Sequence, residues 1–305
     1  MDKERNTMMT QQTASAVTKE LAGVYAADSP HMVGDGFPVR NMIPGPEGDD
    51  QQFSPFLLLD YMGPKYFPPT YRRLGVGEHP HRGFETVTIM YQGKVSHRDS
   101  TGSGGVIGPG DVQWMTAASG IVHEELHEEG FAEQGGTLEG VQLWVNLPKA
   151  VKMSPPRYQT LVNQDIPTVD LPGGAGQVRV IAGEFQGVAG PAKTFSPVHL
   201  YDLRVTAGHR VELTLPAGFN TSVLVLRGRV AINGSKEARE AQLAVFGQAG
   251  ERVALEAKED ATLLVLSGEP INEPIARYGP FVMNTREELM QAAQDYQAGK
   301  MGHLS

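Results

Sequence analysis

GFETVTIMYQGKV, residues 83–95, carries the signal that decides the fold, because it recurs as GFNTSVLVLRGRV at residues 218–230. The two stretches share Gly-Phe-x-Thr, an apolar run rich in β-type residues, and a final Gly-basic-Val. Runs of this kind, bounded by Gly, Pro and Asp, are typical of short strands joined by tight turns. The repeat therefore predicts a duplicated unit and a chain built from two copies of one antiparallel β-barrel.

The two copies differ in their chemistry. Their alignment places His79 opposite Thr214, His81 opposite Pro216 and Glu85 opposite Asn220. The second copy therefore keeps the signals of the fold and lacks the imidazoles of the first.

The order of β-type runs, polar stretches and helical signals divides the chain into five predicted segments. These are a disordered N-terminus at 1–20, an N-terminal metal-binding barrel at 21–147, a linker at 148–175, a degenerate C-terminal barrel at 176–272, and a tail with a helix at 273–305. The helix is predicted from a capping box of Thr285 and Glu288, followed by apolar residues at helical spacing and by Gly299 as the stop.

Composition excludes several classes of function. The 26 Lys and Arg against 35 Asp and Glu give a net charge of −9, and no basic cluster stands out, which argues against nucleic acid and anionic membrane as partners. Cysteine is absent, so disulfides, thiolate ligands and a catalytic thiol are excluded. The start lacks the apolar core of a signal peptide, and no run has the length of a membrane span, so we expect a soluble cytoplasmic protein.

Two spaced pairs of polar residues predict a metal site. His79 and His81 are two positions apart, as are His123 and Glu125, so each pair projects from one face of an extended segment. Burying three imidazoles and a carboxylate around an empty point is costly, whereas a divalent cation removes most of the penalty. By contrast, we expect His97 and His127, which lie in polar or acidic stretches, to be surface residues. His31, His199, His209 and His303 have no ligand-like neighbour.

The chain contains, in this order, the motifs HPHRGFETVT, PGDVQWMTAASGIVHEE and LEGVQLWVNLP, with KMSPPRYQ and GPFVMNT further along. These motifs resemble those of the pirin family, a branch of the cupin superfamily, and the resemblance runs roughly from Val33 to Gly302. It implies an all-β bicupin, that is, two antiparallel β-barrels of the double-stranded β-helix type with a C-terminal α-helix, and metal only in the N-terminal barrel.

The family's four ligand positions fall on His79, His81, His123 and Glu125. Three imidazoles and one carboxylate leave two open positions on a six-coordinate metal, the geometry needed to hold an organic oxygen ligand beside dioxygen. The resemblance implies one divalent metal per chain, Fe(II) by preference, although ligand type alone leaves Mn, Co and Ni open, and Zn as a weaker alternative. We expect Glu85 to lie outside the ligand set and to orient a ligand imidazole.

Pirins are associated with quercetin 2,3-dioxygenase activity, so the resemblance implies an oxidoreductase that opens a flavonol with O₂ and releases CO. The partners would be an aromatic small molecule and O₂, with Glu125 as both ligand and general base. Phe84, Met90, Trp114 and Met115 could line a flat pocket or belong to the core. The alternative is a metal-dependent, iron redox-sensing regulator that acts through a protein partner without catalysis of its own.

Overall fold

The computed structural model describes residues 17–27, 29–43 and 50–304. The predicted disordered start lies mostly outside them. Of its last residues, Thr18 forms a parallel bridge with Arg252, and Lys19 is fully buried with its ammonium donating to the carbonyl oxygens of Phe219 and Gln248.

Within the described residues, the first half of the chain contains twelve strands and two short α-helices. The strands are β1 (Leu21–Ala26), β2 (His31–Val33), β3 (Phe37–Asn41), β4 (Phe56–Phe67), β5 (Gly75–His81), β6 (Phe84–Gln92), β7 (Val95–Asp99), β8 (Gly104–Ile107), β9 (Val112–Thr116), β10 (Ile121–His127), β11 (Gly136–Asn146) and β12 (Arg157–Leu161). The helices are α1 (Asp50–Phe53) and α2 (Glu129–Gln134).

The second half repeats this pattern and ends in a longer helix. Its strands are β13 (Thr168–Leu171), β14 (Gly176–Ala182), β15 (Glu184–Phe185), β16 (Val188–Ala189), β17 (Val198–Val205), β18 (Arg210–Thr214), β19 (Asn220–Arg227), β20 (Arg229–Ile232), β21 (Lys236–Arg239), β22 (Gln242–Phe246), β23 (Arg252–Ala257), β24 (Ala261–Gly268), β25 (Ala276–Tyr278) and β26 (Phe281–Met283). The terminal helix is α3 (Arg286–Gln297).

Among the described residues, each half contains a seven-stranded and a four-stranded antiparallel sheet, and the second half adds the two-stranded sheets β15-β16 and β25-β26. The first half has the orders β12-β9-β6-β11-β4-β3-β2 and β5-β10-β7-β8, and the second half has β1-β22-β19-β24-β17-β14-β13 and β18-β23-β20-β21. Among the described residues no ladder joins the two sheets of a half, so the expected closed barrels are corrected to pairs of open sheets in a cupin-type arrangement. The sheets are held together by packing of their inner faces rather than by hydrogen bonds around a closed ring.

The predicted duplication is also visible in the backbone conformation of one turn. Gly93 and Gly228 occupy the same turn, β6 to β7 and β19 to β20, and both have a φ of +79°. That left-handed conformation favours glycine, because a side chain would be strained there. The turn residues of the two copies are therefore matched in geometry as well as in sequence.

The two halves meet through their seven-stranded sheets. One core cluster combines buried residues of both, among them Val87, Trp114 and Val141 from the first half with Leu224 and Leu264 from the second. A shared apolar layer of this kind makes the two copies a single packed unit.

Three strands pair with strands that belong to a different predicted segment. Leu21–Ala26 pairs with β22 at the edge of the second half's sheet rather than with the first half. Within the predicted linker, Arg157–Leu161 extends the first sheet through β9, and Thr168–Leu171 extends the second through β14.

The terminal helix begins with the predicted capping box. The Thr285 hydroxyl accepts from the Glu288 amide at 3.2 Å, and the Glu288 carboxylate accepts from the Thr285 amide at 3.1 Å. Leu289 and Ala292 are buried against the body of the protein, and Gly299 follows the helix with a φ of +71°. No helix in the described ranges combines the length and apolarity that a membrane crossing requires.

Candidate metal centre

Adjacent strands β5 and β10 bring the predicted ligands together. In their antiparallel ladder His79 lies opposite His123, and His81 lies opposite Ile121. The register shifts between His123 and Glu125, where β5 carries an extra residue. A bulge of this kind re-aims side chains beside a functional site.

The three imidazoles form a compact cluster. The ring centroids of His79 and His123 are 4.3 Å apart, those of His79 and His81 are 4.8 Å apart, and those of His81 and His123 are 4.9 Å apart. One ring nitrogen from each residue lies within 4.8 Å of the others. Three nitrogens at such separations can converge on one cation.

Backbone carbonyls fix the orientation of two of the rings. The His79 Nδ1–H donates to the carbonyl oxygen of Gly77 at 2.8 Å, and the His81 Nδ1–H donates to that of Pro280 at 3.4 Å. Each bond sets the tautomer in which Nε2 carries a lone pair. Both residues can therefore offer Nε2 to a metal.

Among the described residues, His123 has the fewest hydrogen bonds to its ring nitrogens of the three histidines. It is 1% exposed, and neither of its ring nitrogens has a hydrogen-bond partner among the described residues. Burial, reinforced by His81, lowers its pKa well below the usual range, and burial together with His79 lowers the pKa of His81 to about 3. Neutral imidazoles with free lone pairs are the form that binds a divalent cation, so the residues present fit a metal.

Glu125 lies beside this cluster rather than within the compact group. It is opposite His97 in the β10–β7 ladder, and its Oε1 accepts from the Thr88 hydroxyl at 3.4 Å. Burial raises its pKa, while His79 acts in the opposite direction. A cation at the cluster would favour the ionised carboxylate.

A small cavity of about 50 Å³ opens next to Glu125. Its wall is mainly apolar, with Phe37 and Met62 among the larger side chains, and Asp60, Thr88 and Gln142 are its other polar members. Burial raises the pKa of Asp60 to about 6, although the nearby His31 lowers it.

The four residues expected to be able to line a pocket belong to the core instead. Phe84, Met90, Trp114 and Met115 are all fully buried, and none borders this cavity. Phe84 stacks on Trp144, and Trp114 faces the layer between the two halves. The strand positions that do face the cavity could be identified only from the register between strands, which a single sequence does not show.

Glu85 makes contacts other than those expected. Its carboxylate accepts from the Thr116 hydroxyl at 2.6 Å and lies 4.0 Å from the Arg157 guanidinium. Burial raises its pKa to about 7 against the opposing effects of Thr116, Trp114 and Arg157. These polar contacts tie Glu85 to β9 and β12.

The expectation that His97 and His127 are surface residues is wrong, since each is only 5% exposed. His97 stacks on Tyr158 and is hydrogen-bonded to its hydroxyl. His127 donates to the Gly36 carbonyl at 2.9 Å and lies among three phenylalanine rings. Both lie on strands whose alternate side chains point inwards, which their polar sequence neighbours conceal.

The C-terminal segment supports the site through contacts that no motif in the sequence indicated. Arg82, next to His81, donates to Asp295 at 2.9 Å in a buried ion pair and to the Ser119 carbonyl at 2.6 Å. The Lys152 ammonium is fully buried and joins the carbonyl oxygens of Gly83 and Val282. Residues about 200 positions later therefore hold the turn that carries His81.

Comparisons with known proteins agree with this fold. The Pirin family matches residues 36–145, and the Pirin C-terminal cupin domain matches residues 200–302. A Pseudomonas aeruginosa protein named as a candidate quercetin 2,3-dioxygenase is 57% identical over 282 residues, which are 92% of this chain and 98% of that one.

Solved structures give the same result. A quercetin 2,3-dioxygenase from Acinetobacter baumannii superimposes with a TM-score of 0.92 and 48% identity over 95% of this chain and 100% of its own. A bacterial pirin from Escherichia coli, solved in complex with nickel(II), shares the fold with a TM-score of 0.61 and 19% identity over 81% of this chain and 100% of its own. With both family domains matched in order and full-length relatives above 40% identity, the chain belongs to the pirin family.

Proposed function

We propose that this protein is a divalent-metal-dependent dioxygenase that cleaves a flavonol such as quercetin with O₂ and releases CO. The observation that carries the proposal is the His79–His81–His123 cluster, in which His81 and His123 are buried, next to a largely apolar cavity lined in part by Glu125. Among the described residues, His123 has no hydrogen-bond partner for its ring nitrogens. The names of the Pseudomonas and Acinetobacter relatives point to the same substrate class.

The proposed ligands are the Nε2 atoms of His79 and His81, one ring nitrogen of His123, and the Glu125 carboxylate. Three neutral nitrogens and one oxygen suit Fe(II), which we infer from the oxygen chemistry, and they also accept Mn, Co, Ni or Zn. When bound, such a cation supplies a Lewis acid that lowers the pKa of the flavonol 3-hydroxyl and a place for O₂ beside it.

Glu125 is the proposed acceptor of the 3-hydroxyl proton. Its carboxylate borders the cavity and is buried, which raises its pKa towards that of a useful base. Thr88 donates to Oε1, so the other oxygen, Oε2, is left to receive the proton or to bind the cation. The apolar wall excludes water from the ionised substrate.

The test is an anaerobic and an aerobic incubation of Fe(II)-loaded protein with quercetin. We expect loss of the flavonol absorbance, consumption of O₂ and release of CO only in air. Unchanged flavonol in the presence of bound metal would contradict the dioxygenase and favour the metal-dependent regulatory role.

A Glu125→Gln variant separates ligation from base catalysis. It keeps the size of the side chain and removes the proton acceptor, so turnover should stay roughly 10²-fold low even at saturating metal. Raising the pH should partly restore the rate, because flavonol ionised in solution needs no enzymic base. If the metal-saturated Glu125→Gln variant turned over quercetin at the wild-type rate near neutral pH, Glu125 would not be the base.

A further inference from the structure

A row of polar side chains crosses the wall of the cavity. Asp60 on β4 lies opposite Gln142 on β11, and Gln142 lies opposite Thr88 on β6. Directly opposed residues on neighbouring strands project from the same face of a sheet. All three therefore border the cavity, in line towards Glu125.

The polar side chains at the two ends of this row differ in their hydrogen bonding. The single hydroxyl proton of Thr88 is shared between two acceptors, the Gln142 Oε1 at 2.7 Å and the Glu125 Oε1 at 3.4 Å. Because Oε1 of Gln142 accepts the Thr88 hydroxyl, its Nε2–H groups are left as donors.

Asp60, at the other end of the row, has one carboxylate oxygen without a hydrogen bond to the described residues. It is 8% exposed, and its buried Oδ1 atom has no hydrogen-bond partner within the described part of the chain. A buried carboxylate oxygen without a donor lowers stability, so its presence on a cavity wall is explained most simply by a donor that arrives with a ligand.

The spacing suits a flat aromatic molecule. Neighbouring strands are about 4.8 Å apart, so Asp60, two strands away from Thr88, is about 10 Å from it along the row. A flavonol that presents its 3-hydroxyl to Glu125 could reach Asp60 with a hydroxyl on its far ring, while Phe37 and Met62 cover apolar surface.

We propose that Asp60 and Gln142 form a specificity subsite for a hydroxylated aromatic ring, in which Asp60 accepts a hydrogen bond from a phenolic hydroxyl and Gln142 donates to a ligand oxygen. This inference rests on the proposed function and deepens it. A site built to pair with a hydroxyl strongly discriminates against an analogue that lacks it, because the buried acceptor is then left unpaired.

The test measures binding rather than turnover. Zinc-loaded protein, which cannot oxidise the ligand, is titrated with quercetin and with galangin, the flavonol that lacks hydroxyls on the outer ring. Wild-type protein should bind quercetin at least about tenfold more tightly than galangin. Asp60→Asn and the similarly sized Asp60→Leu should remove most of this preference and leave the affinity for galangin unchanged.

Asp170→Asn is the matched control, because it makes the same charge change at an exposed position in the second half of the chain. The midpoint of thermal unfolding of Asp60→Leu should not fall, since Asp60 Oδ1 has no described partner to lose.

Equal affinities of wild-type protein for the two flavonols, or no binding of either, would overturn the subsite, as would equal weakening of both ligands by Asp60→Asn. Asp60-dependent binding without O₂ consumption by the Fe(II)-loaded protein would overturn the proposed reaction and leave the subsite supported.

Discussion

His123 is the side chain on which a metal at this site should depend most strongly. It has no other hydrogen-bond partner among the described residues, and its burial keeps it neutral. We expect His123→Ala to lose most bound divalent metal while keeping its β-sheet circular dichroism, because the apolar cores of both halves are untouched. Elemental analysis after dialysis measures the loss.

His209→Ala provides the comparison, since His209 lies in the second half, away from the cluster, and its imidazole hydrogen-bonds the Ala207 carbonyl. Full metal content in His123→Ala would remove His123 from the ligand set.

The raised pKa of Glu85 predicts that the stability of the protein depends on pH. Its folded pKa of about 7 is above the unfolded value of about 4.3, so the folded state holds the proton more tightly. The resulting stabilisation is fully present below the unfolded pKa and is lost as the pH rises through about 7. Relative to Glu85→Gln, the free energy of unfolding of the wild type should fall by about 1–3 kcal/mol across that window.

Urea unfolding of both proteins at several pH values tests this, because groups common to both cancel in the difference. Parallel pH profiles would mean that folding leaves the pKa of Glu85 unchanged, with the Thr116 and Arg157 contacts offsetting the effect of burial.

At the scale of single residues, the spacing in the sequence predicts that three imidazoles meet, and His79, His81 and His123 form one cluster in the structure. The spacing of His79 and His81, and the position of His123, required only that each pair lie on an extended segment. Asp60 and Gln142 could not be found in this way, because their meeting depends on the register of β4 against β11. His97 was misjudged for a related reason, since its inward direction follows from its ladder with β10.

The segment containing β25, β26 and α3 acts as a support for the turn after β5. The Arg82 amide donates to the Pro280 carbonyl at 3.3 Å, and the Val282 amide donates to the Arg82 carbonyl at 3.0 Å. The Arg82–Asp295 ion pair fixes the same turn to α3. Asp295→Asn leaves a buried guanidinium without its counter-charge, so we expect a loss of about 2–4 kcal/mol in the free energy of unfolding.

The same variant should bind metal several-fold more weakly, because the turn that presents His81 to the Pro280 carbonyl is loosened. Denaturant unfolding and a competitive metal titration measure the two effects. Glu287→Gln, on the exposed face of the same helix, should change stability by no more than about 0.5 kcal/mol. If Asp295→Asn matched this control in both measurements, α3 would have no part in holding the site.

The existence of α3 was predictable from its capping box, but its docking position was not. Local signals such as Thr285 and Glu288 determine where a helix begins. The partner of Asp295 lies 213 positions earlier in the chain, and no local pattern encodes such a contact.

For the whole molecule, the repeat predicts one metal per chain. The second half has the same sheet order but carries Thr214 and Pro216 at the positions of His79 and His81. Elemental analysis of metal-reconstituted protein should therefore give one equivalent, and it should give almost none for His79→Ala. Two equivalents in the wild type would mean that the second half also binds metal.

The duplicated sequence predicted two similar β units, and the structure contains two units of matching topology. It did not predict that their sheets stay open, because closure depends on ladders between strands distant in sequence. Nor could it show that β1 pairs with β22, on the other half of the molecule. Strand pairing over such separations is set by packing of the shared core rather than by local propensity.

The contact between Pro280 and His81 has a consequence for biosynthesis. A growing polypeptide has all its candidate ligands by residue 125, but it still lacks Pro280, Asp295 and the strands that cover the first half's large sheet. The orientation of His81 described above requires residues 280–295 to have been translated and folded against this turn. We therefore expect metal acquisition in this geometry to follow the folding of β25, β26 and α3, and a product truncated before Pro280 to lack the finished centre.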